Sequence, residues 1–342
     1  MDRQNNRFAE QLDTVLVIDK PIRENLGEDS FYCAAGKTSA IISVCDGCGG
    51  LGARKYESLQ GHTGAYMASR IVSGAISGWY HKNYHKKWEN VRRFAASIDA
   101  CIREAYAVCE PYGIEKMKIM GSMVRKFPTT LALAYAEAAK DGICLHLLWA
   151  GDSRVYLLDT HGLAQLTEDD TDGLDAYENL FSDGAMTNVL SSDGKYGLHY
   201  RTIHLHTPCL IFAATDGCFG YIPSPMEFEY TVLHNIHTSK TPDEFKKNLK
   251  ADFMRYAEDD LTLGLMSFFY GSFEQMQKQL SERMAVVEER YIRPLSDESD
   301  DTVAKELWLM YKPEYERYLK KKAYTADGFT GQQEGICDRK EE

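Results

Sequence analysis

Apolar residues along this chain fall into two kinds of pattern. Short β-branched or aromatic runs, bounded by Gly, Pro or Asp, occur at Thr14–Ile18, Phe31–Ala34 and Ala40–Cys45. They return at Thr129–Tyr135, Ile143–Trp149, Arg154–Leu158, Arg201–Leu205, Leu210–Ala214 and Leu261–Phe269, and each run predicts a strand. Between them apolar positions recur at steps of three and four. That spacing predicts helices over Leu59–Ile76 and Trp88–Cys109, the second carried by Trp88, Val91, Ala95, Ile98, Ile102, Ala105 and Cys109. A further helix is predicted over Pro242–Ala257, with Pro in its first turn.

Strands, two helices, many strands, a helix and a strand follow one another. Regular βαβ alternation is missing, so the order argues for an α+β layered domain with largely antiparallel pairing. After Gly271 the character changes. Phe273, Met276, Leu280, Met284, Val287 and Tyr291 form a helical stripe, an acidic run covers 296–301, and a second short helix is predicted over Val303–Tyr311. We therefore divide the chain into a domain of residues 1–270 and a C-terminal helical extension with a polar tail, 271–342. The stripe has two readings: an extra layer packed on the domain, or a self or partner contact through 273–291.

Composition narrows the setting. The net charge over 342 residues is −12, and no basic stripe exceeds the short run from Lys82 to Lys87. Such a balance repels phosphate backbones and anionic lipid, so neither nucleic acid nor membrane is an expected partner. Neither an apolar leader nor a run long enough to span a bilayer is visible. Nine cysteines without framework spacing read as reduced thiols in a cytoplasm.

The informative feature is where the carboxylates fall. Asp46 ends an apolar run and precedes Gly47; Asp216 does the same before Gly217. Asp152 stands between two strands, Asp259 and Asp260 precede the last strand, and Glu28 and Asp29 precede the second. Any one Asp-Gly after a strand is ordinary turn chemistry. Five such places, most without Lys or Arg beside them, form a pattern that turns do not require. If these strand ends converge, the carboxylates repel one another, and a hard divalent cation held by oxygen ligands relieves that cost.

Seven strings then occur in order: R23-E-N-L-G-E-D-S30, S43-V-C-D-G-C-G-G50, Pro128-Thr-Thr-Leu-Ala132, W149-A-G-D-S-R-V-Y156, Q165-L-T-E-D-D-T171, F212-A-A-T-D-G-C-F-G220 and D259-D-L-T262. Together they resemble the metal-dependent serine/threonine protein phosphatases of type 2C, in their bacterial form, over residues 12–269. The resemblance implies a four-layer α-β-β-α sandwich of two central antiparallel sheets flanked by helices, with two Mg²⁺ or Mn²⁺ ions at one end. It implies that Asp46 bridges both ions, that the Gly47 carbonyl joins one, and that Asp216 and Asp259 complete the other. Glu28 and Asp29 would hold metal-bound waters, Arg23 the phosphoryl oxygens, and Asp152 a third ion. The implied reaction is hydrolysis of phosphoserine and phosphothreonine in proteins by a hydroxide bridging the two ions. The phosphorylated protein is the expected partner.

Several positions depart from the family pattern. Asp260 stands where the family has Asn, which makes it the second candidate for the ligand given to Asp259. Arg23 lies one residue further from Glu28 than the family's arginine does. Cys48 occupies a place where many relatives have a histidine, and Gly220 a place where an aspartate supports the third ion. An extra segment, 52–61, follows the glycine motif, and His62 beyond it is a candidate for the absent proton donor. These departures sustain the alternative of a catalytically inactive phosphatase-like module that binds phosphoproteins as a regulator. Cys45 and Cys48 form a C-x-x-C without the second ligand pair that zinc needs. Arg154 reads as the partner of a nearby carboxylate.

Overall fold

In the computed structural model, which describes residues 8–57, 60–109, 126–172, 175–180, 184–295, 301–319 and 324–327, the predicted strands all form. They are β1 (Leu12–Lys20), β2 (Ser30–Ala35) and β3 (Ser39–Cys45), followed by helices α1 (Gly64–Asn83) and α2 (Val91–Cys109). Next come β4 (Leu131–Ala139), β5 (Gly142–Ala150), β6 (Arg154–Asp159), β7 (Gly162–Gln165), β8 (Gly197–Leu205) and β9 (Cys209–Ala214). The chain continues through α3 (Pro225–Thr238), α4 (Pro242–Phe253), β10 (Leu261–Phe268), α5 (Phe273–Val287), α6 (Asp301–Tyr315) and β11 (Tyr324–Asp327).

Two antiparallel sheets result, ordered β1-β10-β9-β6-β7 and β11-β8-β5-β4-β3-β2. The two-residue period of a strand decides which layer each side chain enters. Ala40, Ile42 and Val44 of β3 join Ala132, Ala134 and Ala136 of β4 and Ile211 and Ala213 of β9 in the core between the sheets. Their neighbours Ile41, Cys45, Leu131, Leu133 and Tyr135 face the other way, against Ile76 and Trp79 of α1 and Phe94 and Ile98 of α2. On the far side Tyr156, Phe212, Leu263 and Leu265 pack on Met226, Phe228, Phe245 and Leu249 of α3 and α4. The layers run helix, sheet, sheet, helix, as the resemblance implied.

Differences from the sequence reading have local causes. Helix α1 begins at Gly64 because the Thr63 side chain caps it, accepting the Tyr66 N–H at 3.0 Å. Leu59, where the helix was expected to begin, lies outside the described residues. Helix α1 runs on to Asn83, past the Ile76 expected as its end. Trp88 does not start α2; its N–H bonds to Glu137 instead. Helix α3 was missed, although Ser224 accepts the Glu227 N–H and Glu227 bonds back to the Ser224 hydroxyl, with Pro225 in the first turn. The four-residue strands β7 and β11 are too short to show a period.

The stripe of α5 turns inward. Met276, Leu280, Val287 and Tyr291 are buried with Trp308, Tyr311 and Tyr315 of α6 in the core beneath α3. Arg283 of α5 pairs with the fully buried Glu229 of α3 at 2.8 and 3.0 Å, and the Tyr311 hydroxyl donates to the same carboxylate at 2.5 Å. Of the two readings of this stripe, the extra layer packed on the domain is the one the fold adopts. The self or partner contact offered through 273–291 is corrected, because the chain's own core covers that apolar face. The acidic residues 296–300 and the tail 328–342 lie outside the described residues.

Candidate metal centre

The ends of β3, β5 and β9 meet the start of β10, and hydroxyls hold the acidic residues beside them. Asp46 leaves β3 with its carbonyl accepting from Thr130 N–H at 2.8 Å and the Thr129 hydroxyl at 2.6 Å. Its own N–H donates to Thr130 Oγ1 at 3.1 Å, and that hydroxyl lies 2.6 Å from Ser153 Oγ, next to Asp152. The Pro-Thr-Thr string is therefore a clamp on Asp46. A second clamp joins β9 to β10: Thr215 N–H donates to Thr262 O and Thr262 N–H to Thr215 Oγ1, both at 3.0 Å. The Thr215 hydroxyl also donates to Asp29 Oδ2 at 2.8 Å.

Two glycines allow the close approach. A Cβ at Gly217 would lie 1.9 Å from the Asp260 carbonyl oxygen. A Cβ at Gly47 would lie 2.6 Å from Ala65 O and 2.8 Å from Glu28 O. No larger residue fits at either place without moving backbone.

The carboxylates so placed act on one another. Burial pushes Asp46 well above the usual carboxylate range, and Asp216, Asp29, Asp152 and Asp259 add repulsion in that order. Asp29 is raised the same way, by burial first and then by Asp216 and Asp260. Asp152 is pushed up to about 8 by burial, with Asp216 and Asp169 adding to it and Arg154 opposing. Asp216 is also raised by burial, against a hydrogen bond from the Asp46 carboxyl. Asp259 and Glu28 are raised more mildly, again by burial first. An all-oxygen donor set whose members repel one another is the composition a hard divalent cation requires, so the residues fit Mg²⁺ or Mn²⁺.

Asp259 and Asp260 separate clearly. Asp260 turns inward, accepting the N–H groups of Ile22 at 2.7 Å and Glu28 at 2.5 Å. Asp259 is exposed, accepts the Asp260 N–H at 2.7 Å, and acts electrostatically on Asp46. Asp260 thus anchors the β1–β2 connection while Asp259 faces the cluster. Glu28 receives the Thr63 hydroxyl at the start of α1, and its carbonyl accepts from Ser69 Oγ.

A cavity of about 390 Å³ adjoins Asp259 and Glu28 and is lined also by Arg23, Lys55, His62 and Tyr66. Arg23, exposed, stands at its rim. Lys55 comes from the extra segment, of which 58–59 lie outside the described residues, and His62 stacks on Tyr66 with 3.9 Å between centroids. A second cavity, of about 230 Å³, is lined by Asp152, Asp216, Asp169, Arg154 and Gly220. Here Arg154 is the carboxylate partner expected from sequence: it grips Asp169 at 2.6 and 3.0 Å, with the Gln165 amide on the same carboxylate.

Cys48 sits beside Asp46 with its thiol pushed well above the ordinary range, by burial and then by Asp46, which keeps it neutral. Cys45 and Cys48 are both free thiols. The sequence reading missed the threonine clamps and the inward role of Asp260. Hydroxyls after strand ends were visible, but their partners are not sequence neighbours.

No family model matches the chain, and no curated protein matches it by sequence. Solved structures do match in fold. A bacterial serine phosphatase superposes with a TM-score of 0.57 at 14% identity, covering 75% of this chain and 98% of that one. The serine/threonine phosphatase Stp1 from Staphylococcus aureus gives 0.55 at 14% identity, covering 76% and 97%. The Mycobacterium tuberculosis serine/threonine phosphatase PstP/Ppp gives 0.51 at 20% identity, covering 76% and 99%. The chain shares the fold of these enzymes.

Proposed function

We propose that this protein is a metal-dependent phosphatase that hydrolyses phosphoserine and phosphothreonine in proteins. The observation that carries this reading is the convergence of Asp46, Asp216 and Asp259, with Asp29 and Asp152 behind them, at the strand ends of a fold shared with serine/threonine phosphatases. In it Asp46, the Gly47 carbonyl, Asp216 and Asp259 hold two Mg²⁺ or Mn²⁺ ions, Glu28 and Asp29 bond their waters, and Asp152 offers a place for a third. Bound, such ions lower the pKa of water to supply a nucleophile and offset charge on the phosphoryl oxygens.

The chain's own groups do the rest. Arg23 offers a planar pair of N–H donors at the cavity rim, suited to two phosphoryl oxygens at once. The threonine clamps fix Asp46 and Asp29, so the donor set is held in place before substrate arrives. Residues 1–270 are the catalytic unit in this reading, and the described helices of the extension 271–342 pack on it. Among the described residues no helix is long and apolar enough to cross a membrane. The eight described cysteines are all free, which suits a reducing cytoplasm.

The mutual repulsion of Asp46, Asp216, Asp29, Asp152 and Asp259 favours the active reading over the inactive-module one, because a binding module has no need of so costly a cluster. The test is release of phosphate from a phosphothreonine peptide with Mn²⁺, wild type against Asp46→Asn and Asp216→Asn. Turnover by wild type and its loss in both variants is expected. Equal turnover in all three, or none in wild type with either ion, overturns the reading.

A further inference from the structure

A second set of metal-ligating side chains lies on the sheet of β4, β5 and β8, away from the carboxylate cluster. Glu137 and Cys144 are paired opposite one another in the β4–β5 ladder, and His146 lies two residues along β5, so all three project from one face. Glu137 is seven residues along an extended strand from Thr130, about 23 Å.

His146 Nε2 stands 3.6 Å from Glu137 Oε1 and 3.6 Å from Cys144 Sγ, and the three ligand atoms lie within 4.8 Å of one another. The two 3.6 Å separations suit edges of a tetrahedron around zinc. With bonds of about 2.0–2.2 Å to N and O and about 2.3 Å to S, neighbouring ligand atoms stand about 3.4–3.6 Å apart. At 3.6 Å the histidine is too far from the carboxylate for a good direct hydrogen bond.

The outer contacts also match a metal site. His146 Nδ1 lies 2.8 Å from Thr202 Oγ1, and with Nδ1–H as donor the Nε2 lone pair points toward Glu137 and Cys144. Glu137 is fixed by the Trp88 N–H at 3.0 and 3.3 Å. Cys144 is half-buried, the least enclosed of the three. Across the β5–β8 ladder His204 is paired with Cys144 on the same face, and it is exposed, its ring stacked at 6.3 Å on that of His206.

We propose that Glu137, Cys144 and His146, completed by rotation of His204, bind one zinc ion that staples β4, β5 and β8 together. Thiolate with imidazole and one carboxylate selects zinc over the oxygen-seeking Mg²⁺ and Mn²⁺. Burial, then Glu137, raises the Cys144 thiol to about 12, so the metal displaces its proton to solvent on binding.

Titration of the full chain with Co²⁺ tests this through the thiolate-to-cobalt charge-transfer band, which oxygen sites lack. One equivalent of Co²⁺ should produce the band, and equimolar Zn²⁺ should erase it. Cys144→Ser should abolish it, whereas Cys48→Ser, beside the carboxylates, should retain it. Glu137→Gln and His204→Ala should each weaken zinc binding about tenfold or more. In the wild-type chain zinc should shield Cys144 from alkylation, a readout that needs no variant to fold. Absence of the band, its survival in Cys144→Ser, its loss in Cys48→Ser or unshielded Cys144 each overturns the site. Unchanged affinity in His204→Ala overturns the four-ligand form.

Discussion

Arg154 and Tyr315, 161 positions apart, meet at 3.4 Å between guanidinium Nη1 and phenol oxygen. The same guanidinium grips Asp169, lies 4.2 Å over the Phe219 ring, and opposes the upward pKa shifts of Asp152 and Asp216. The last helix of the extension thus supports an arginine that faces the carboxylate site. Tyr315→Phe should lower unfolding stability by about 1 kcal/mol, the net value of one buried hydrogen bond. Urea denaturation checks it, and an unchanged midpoint would mean that Tyr156 alone holds the arginine there.

The extension is bound more firmly by Arg283 and Glu229. Both are buried, at 7% and 0% exposure. Arg283 also pairs with Glu314 at 2.9 Å, but removing Arg283 leaves the Glu229 carboxylate with no cation, only the Tyr311 hydroxyl. Arg283→Met should cost about 3–5 kcal/mol, and adding Glu229→Gln should recover a large part of it. Denaturation of the single and double variants measures the difference. Additive losses would contradict the pairing.

Asp259 and Asp260 should fail in opposite ways. Asp259→Asn should reduce Mn²⁺-dependent turnover by more than about 100-fold with little change in metal-free stability. Asp260→Asn replaces one acceptor by a donor against the Ile22 or Glu28 N–H, and should cost about 1–3 kcal/mol. Turnover and thermal melts of the two variants, side by side, separate ligand from anchor.

Stability should depend on pH in a stated direction. Asp152 titrates near 8 in the metal-free fold against 3.8 unfolded, and Asp46, Asp29 and Asp216 are also raised. Between these values the folded chain keeps protons that the unfolded chain has lost. Metal-free stability is therefore greatest at the acid end of the window and falls as pH rises toward about 8. Mn²⁺ replaces those protons, so its stabilisation should grow over the same range. Melting chelator-treated protein at about pH 5 and about pH 8, with and without Mn²⁺, checks the sign. Asp216→Asn should flatten the slope.

Much of this molecule was readable in advance. The strand runs from Ala40 to Cys45 and from Leu210 to Ala214 carry their type in composition, and the acids that follow them announce a site. The stripe from Phe273 to Tyr291 was readable as a helix face, and packing on the domain was one of its two readings; only the fold decided between them. Helix α3 escaped because its apolar spacing is mixed, although its Ser224–Glu227 capping signal was present.

Element type belongs to the sequence because burial of one face imposes a period of two or of three to four on residues close in the chain. Convergence does not, because it depends on register between strands far apart. Only the paired sheets bring Asp46 to Asp216, turn Asp260 onto the β1–β2 connection and Asp259 toward the cluster, and set Glu137 against Cys144 and His146. Those contacts are decided by which backbone groups pair across the sheet, and no local pattern of hydrophobic residues encodes that choice.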